Sequence, residues 1–375
     1  MKSVPFLDLC TQYAPLRKAI LDSFERIFDT TAFINGPDVR IFENALAQWL
    51  GVEDAVGVSC ATDGLYASLR MLGIGQADEV ITTNHTAIPT AEAITMTGAE
   101  VVFCDIRMDT CNIDPDQVKK LVTPRTKALV VVHLYGQPAD LDALVEISEE
   151  NHLYLIEDCA QALGAKYRSK NVGTMGDVGV YSFFPSKPLG GIGDGGAVVS
   201  RHADLLKRIR MFCNHGRQNK YNHEMQGFNS RLDTMKAAML NIALPNLEEW
   251  NRKRRDIADM YQHYLKNITE IELPQMLSSI SPVWHVYAIR VPDRKPFQNY
   301  LKNQGVETGI HYPSSLNLTT AYAYLNKGAG SYPYAEYHCA HTVSLPMHPG
   351  ITQEDVEYVG DTIRRFFTCH QRVSK

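Results

Sequence analysis

The stretch Ser182–Ser200 reads SFFPSKPLGGIGDGGAVVS and packs five glycines into the seven residues from Gly190 to Gly196. A single lysine, Lys187, stands just ahead of them. Apolar, β-rich runs lie on both sides, DVGVYSFF before and GAVVS after. A dinucleotide-binding fingerprint requires a helix after its glycines, and a strand follows here, so the obvious oxidoreductase reading is excluded. Two readings of the glycines remain: tight turns into the next strand, or close backbone approach to a ligand.

Outward from this stretch, residues 50–200 alternate short apolar runs with helical patterns. DAVGVSC precedes TDGLYASLRMLGI, in which Leu65, Leu69 and Leu72 recur at helical spacing. DEVITTN, AEVVFCDI, KALVVVHLYG and LYLIEDCA continue the series. Several runs are apolar on successive residues, as strands buried on both faces are. The rhythm predicts an α/β fold with a mostly parallel sheet between helices. Ligands in such sheets bind beyond the carboxyl ends of the strands. Further on, NSRLDTMKAAMLNIALPNLEEWNRKRRDIADMYQHYL reads as long helix, with Pro245 as a bend or boundary. From VWHVYAIRVPD onward the pattern is a smaller α+β domain, giving expected domains of 1–247 and 248–375.

The 375 residues suggest two domains at ~150 residues each. With 37 basic and 42 acidic residues the net charge is −5 and no basic block occurs, so neither nucleic acid nor an anionic membrane surface is an expected partner. The first residues lack the charged start and apolar core of a signal peptide, and no apolar run is long enough to span a bilayer. The eight cysteines are scattered without a C-x-x-C pair, which fits reduced thiols and no metal site. A cytoplasmic protein is expected.

Chemistry concentrates at strand ends. Asp158 closes the apolar run of LIEDCAQALGA; it either caps a following helix or pairs with a protonated ring nitrogen, and Gln161 lies three residues on. Lys187 opens the loop after GVYSFF, and an amine that forms a Schiff base needs a depressed pKa and a fixed position. Ser182, near the same strand's end, offers a hydroxyl to a phosphate. In VSCATDGLYASL, Ala61 to Asp63 stand at a helix N-terminus, a natural phosphate site, although Thr62 also reads as an ordinary N-cap.

These residues carry a resemblance that runs nearly end to end. VPFLDLCTQY, FINGPDVRIFE, IEDCAQALGA, GDVGVYSFFPSKPLGGIGDGGAVV, GFNSRLD, GIHYP and SLPMHPG resemble, in order, the motifs of the DegT/DnrJ/EryC1/StrS family of sugar aminotransferases. The resemblance implies the fold-type I architecture: a large, mostly parallel seven-stranded α/β/α domain and a smaller α+β C-terminal domain. It also implies pyridoxal 5′-phosphate as cofactor, with Lys187 as the Schiff-base lysine and proton shuttle and Asp158 on the pyridine nitrogen. Gln161 then lies near the ring hydroxyl, and Ala61, Thr62 and Ser182 hold the phosphate. Asn229 matches an asparagine that reaches the phosphate from a neighbouring subunit, so a homodimer with shared sites is expected. Arg231, His311 and Tyr312 match positions near the nucleotide-sugar pocket.

The chain departs from the family pattern at two places. Where HTYIAT is usual, HTAIPT sets Ala87 in place of an aromatic residue, so that either a neighbour such as His85 covers the cofactor ring or that face is more open. Where DELQAA is usual, DTMKAA sets Lys236, which reads as a solvated helix lysine. The implied activity moves an amino group from L-glutamate to a keto sugar on a nucleotide. Members acting at C4 resemble SFHPxKxITTGEGG around the lysine, whereas SFFPSKPLGGIGDGG is similar to members acting on 3-keto sugars, UDP-linked 2-acetamido sugars among them. Rival readings are a 4-keto sugar substrate, a non-catalytic regulatory module on the same fold, and a 3-dehydratase. The dehydratases carry histidine where this chain has Lys187.

Overall fold

The computed structural model describes residues 2–373. Seven strands form the central sheet: β1 Ala55–Val58, β2 Glu79–Thr83, β3 Glu100–Cys104, β4 Thr126–Val132, β5 Tyr154–Asp158, β6 Val178–Ser182 and β7 Gly196–Ser200. Their order across the sheet is β1-β7-β6-β5-β4-β2-β3. Every neighbouring pair is parallel except the two made by β7, which runs against both β1 and β6. The loop carrying Lys187 is therefore a hairpin connection; helices lie between successive strands from β1 to β5, and turns with a small antiparallel pair, Lys166–Tyr167 and Lys170–Asn171, lead from β5 to β6.

The unbroken apolar runs follow from burial on both faces. Along β7, Val198 packs into one core with helices Ala61–Met71 and Pro89–Thr95, while Ala197 and Val199 pack into the opposite core with helices Pro37–Leu50 and Thr234–Ala243. Successive strand residues point to opposite faces, so each must be apolar. A third cluster extends the second layer, where Leu129 and Val131 of β4 meet helices Pro115–Leu121 and Leu141–Glu150.

Pro245 lies in a short 3₁₀ turn, Leu244–Asn246, that separates helix Thr234–Ala243 from helix Leu247–Leu265. The expected boundary at 247 falls at the start of the second helix, and that helix serves both domains. Leu247 and Trp250 belong to the large core; Ile257, Tyr261 and Leu265 belong to the C-terminal one. The N-terminal segment also needs correction, because Val4 pairs with Val306 and is buried in the C-terminal core. The small domain is built on an antiparallel pair, Tyr287–Arg290 with Thr342–Leu345, covered by helices. Among the described residues no helix is long and apolar enough to cross a membrane, and the seven described cysteines are free.

Candidate active site

Asp158 is the last residue of β5, placed by parallel pairing with β4 on one side and β6 on the other. It is 4 % exposed. Its Oδ2 accepts a hydrogen bond from the Thr90 hydroxyl at 2.8 Å, and Oδ1 accepts from the Ala160 N–H at 3.1 Å. The residues after it form a turn, so the helix-cap reading fails. Burial raises its pKa, with the two donors and the Lys187 charge opposing. No ion pair forms at this carboxylate among the described residues.

Lys187 sits in the β6–β7 loop, where its backbone N–H closes a tight turn onto the Phe184 carbonyl at 2.9 Å. Bonds from Phe183 N to Gly195 O and from Gly191 N to Phe183 O, each 2.8 Å, clamp the rest of the loop. Burial pushes the ammonium down to about 8, against the opposing pull of Asp158. A lysine so shifted holds a sizeable fraction of free amine near neutral pH, as a Schiff-base former must. The glycines serve close approach of the chain to itself. A Cβ on Gly190 would meet Pro185 O at 2.1 Å, and one on Gly196 would meet the Ala61 amide nitrogen at 2.8 Å.

That second contact sets β7 against the N-terminus of helix Ala61–Met71. The N-cap there is Cys60, whose sulfur accepts from the Asp63 N–H at 3.5 Å, and not Thr62 as an ordinary capping reading has it. Thr62 lies in the first turn, where backbone N–H groups lack intrahelical acceptors. One cavity of ≈ 370 Å³ joins Ala61, Thr62, Asp158, Gln161, Ser182 and Lys187. Gln161 is held at both ends: its Oε1 accepts from the Tyr135 N–H at 2.7 Å and its Nε2 donates to the Tyr312 hydroxyl at 2.9 Å.

Residues 15–364 match the DegT/DnrJ/EryC1/StrS aminotransferase family. The chain belongs to that family. A Streptomyces venezuelae dTDP-3-amino-3,4,6-trideoxy-α-D-glucose transaminase is 41% identical over 97% of this chain and 96% of its own. A UDP-N-acetyl-3-dehydro-α-D-glucosamine 3-aminotransferase of Acidithiobacillus ferrooxidans is 38% identical over 97% and 98%. The solved structure of S. venezuelae DesV with a ketimine intermediate superposes with a TM-score of 0.95 at 40% identity, covering 98% of this chain and 99% of that one.

The protein is thus a pyridoxal-phosphate-dependent aminotransferase, and the cavity fits the cofactor. Asp158 is a buried carboxylate without a cation, which suits a protonated ring nitrogen. The helix N-terminus at Ala61 and Thr62, with the Ser182 hydroxyl, suits a phosphate. Lys187 suits the aldehyde.

Other family positions lie elsewhere. His85 neither lines the cavity nor covers it: it is 0 % exposed, with Nε2 at 2.8 Å from the Tyr135 hydroxyl and Nδ1 at 3.2 Å from Cys339 Sγ. Ala87 itself lines the cavity. Tyr312 reaches the site through Gln161. His311 is fixed by Ser344 Oγ at 2.8 Å and stacked on Phe6, and its pKa is lowered to about 4 by burial and then by the Lys187 charge. Arg231 lines a separate cleft of ≈ 220 Å³ with Asn35, Gly36 and Arg210, and Asn229 is exposed beside Asn214. Neither lines the Lys187 cavity of its own chain. Lys236 is ion-paired with Asp233 at 2.9 Å. Sequence reading missed Thr86, Thr90 and Asp194, which line the cavity, and Tyr135, which orients Gln161. Both threonines lie in the HTAIPT motif.

Proposed function

We propose that the protein transfers the amino group of L-glutamate to the ring ketone of a nucleotide-linked 3-keto sugar, a UDP-linked 2-acetamido-3-keto hexose above the others. The observation that carries this reading is the partly buried amine of Lys187, lowered to about 8, in one cavity with the unpaired carboxylate of Asp158. Pyridoxal phosphate, when bound, supplies the electron sink for proton removal and return at carbon. Lys187 would hold the aldehyde carbon, and its Nζ would be the group that moves the proton. Asp158 keeps the ring nitrogen protonated. Thr90 and the Ala160 N–H hold that carboxylate in place, while Ala61, Thr62 and Ser182 anchor the phosphate. Gln161, held by the Tyr135 N–H and the Tyr312 hydroxyl, would lie on the side of the ring hydroxyl.

Position 3 is supported by one relative named as a 3-amino-sugar transaminase and one named as a 3-aminotransferase of a 3-dehydro sugar, and by the sequence around Lys187. The nucleotide differs between those two, one dTDP and one UDP. A homodimer is part of this proposal: Asn229, exposed and outside its own chain's cavity, suits a reach into a partner's site. The test is incubation with L-glutamate and UDP- or dTDP-linked 3-keto and 4-keto sugars, with the amine located by NMR. An amine at C3 is expected, formed fastest on the UDP sugar. Amination confined to C4 overturns the assignment.

A further inference from the structure

We propose that Tyr135 is a positioning residue, the hub through which the C-terminal domain holds Gln161 and the His311–Tyr312 segment in register with the Lys187 cavity. The proposal rests on the aminotransferase reading of that cavity and is independent of which sugar is used. Tyr135 follows β4 in a 3₁₀ turn and takes a left-handed φ of 61°, which is disfavoured for a residue with a β-carbon. The bonds around it hold it there. Its N–H donates to Gln161 Oε1 at 2.7 Å, which leaves the Gln161 Nε2 as the end that meets Tyr312.

The hydroxyl is buried among groups from both domains, and counting protons fixes its bonds. It lies against the His311 carbonyl, which can only accept, so the single hydroxyl proton is committed there. His85 Nε2 at 2.8 Å and His338 Nε2 at 3.0 Å must then both donate to the Tyr135 oxygen. Each Nδ1 is left as an acceptor. His338 Nδ1 faces Arg290 Nη1 at 3.3 Å and Cys111 Sγ at 3.3 Å, while His85 Nδ1 faces Cys339 Sγ at 3.2 Å. Arg290, for its part, is paired with Glu272 at 2.7 Å. One assignment satisfies every member, with both imidazoles neutral. Burial acts the same way, lowering His85 to about 3 and His338 well below its ordinary value.

Of these groups Tyr135, His85 and Cys111 precede the helix that links the domains, whereas Arg290, His311, His338 and Cys339 follow it. The hub therefore joins the sheet to the segment beside the cavity. Fully satisfied buried networks rigidify what they connect, and an unsatisfied member is costly. Loss of the Tyr135 hydroxyl leaves two imidazole N–H groups without an acceptor and frees the His311 carbonyl.

The experiment compares the wild-type protein, loaded with pyridoxal phosphate, with Tyr135→Phe, His338→Gln and His338→Leu. The readouts are the cofactor dissociation constant, the pH midpoint of the visible absorption band, and the rate of bleaching by L-glutamate. Tyr135→Phe is expected to move the band's pH midpoint and slow bleaching by about tenfold or more, as small displacements in a preorganised site do. His338→Gln keeps an N–H donor toward Tyr135 and is expected to restore the wild-type midpoint. His338→Leu, without a donor, is expected to follow Tyr135→Phe. Wild-type midpoint, cofactor affinity and bleaching rate in Tyr135→Phe overturn the proposal, whatever its melting temperature. Should that variant not fold, equal behaviour of His338→Gln and His338→Leu overturns it. A wild-type protein that takes up no cofactor sinks the aminotransferase reading instead, so the two failures are distinguishable.

Discussion

Glu157 and Asp158 are consecutive residues of β5, both buried carboxylates, and their surroundings push them in opposite directions. Glu157, 0 % exposed, accepts from Gly173 N at 2.6 Å, Met175 N at 2.8 Å, Gly176 N at 2.6 Å and His133 Nε2 at 3.0 Å. His133 Nδ1 accepts from the Ala139 N–H at 3.1 Å, so its proton sits on Nε2 and points at the carboxylate. Burial alone raises Glu157, but the His133 contact and the backbone donors outweigh it and its pKa is lowered. Cys159 completes a trio of ligand-type atoms within 4.8 Å, yet hydrogen bonds already occupy the histidine and the glutamate. Asp158 has two donors, no cation and a raised pKa. The lesson is that a structural carboxylate is saturated by its own chain, whereas a working one is left short of a partner on the side that opens to the cavity.

The strongest way to break this comparison is at the group opposite the unsaturated carboxylate. Lys187→Ala is expected to lower amino transfer by about 10³-fold or more, because the amine placed to move the proton is gone; steady-state assays with L-glutamate check this. Asp158→Asn is expected to lower the rate by roughly 10²-fold or more while raising the melting temperature of the cofactor-free protein, because it removes a buried carboxylate that lacks a cation. Glu157→Gln is expected to do the reverse. It sets an amide N–H₂ against backbone donors and costs about 1–3 kcal/mol of stability, read by urea unfolding, with kcat within about threefold of wild type.

The pH dependence separates the pair further. Glu157, with its folded pKa lowered, contributes stability that is present above its ordinary value of 4.5 and is lost as pH falls through the folded pKa. Asp158, with its pKa raised, works the other way: the folded form binds its proton more tightly, so stability falls as pH rises above the ordinary 3.8. Stability of each variant against wild type across acid pH is expected to diverge in opposite senses. The smallest effect belongs to Lys236→Gln. Its ion pair with Asp233 is a partly exposed i,i+3 pair, and a change within about 0.5 kcal/mol is expected in thermal melts.

The sheet was legible because strands buried on both faces are largely apolar, and several of the seven runs show apolar residues in succession for that reason. Lys187, Asp158 and the helix start at Ala61 were legible because each sits at a strand end. What was hidden depended on distant contacts. Thr90 meets Asp158 across 68 residues, and Tyr135 meets His338 across 203. Local patterning carries no trace of either. Position in the chain puts Val4 with the large domain, yet its bridge partner, Val306, comes from the other end. Cysteine lacks the usual capping preference, so the sequence points to Thr62 as the cap, although the Cys60 sulfur fills that place here. His85 stood in the right motif but turned inward, because Tyr135 and Cys339 offered it a complete set of partners.

The most direct test of the central claim is the visible absorption spectrum of the purified protein with pyridoxal phosphate, recorded before and after L-glutamate in the absence of any sugar. The paired Lys187 and Asp158 predict a yellow band that bleaches with glutamate and is missing from Lys187→Ala. A protein that stays colourless with the cofactor, or a band that glutamate leaves untouched, contradicts the account.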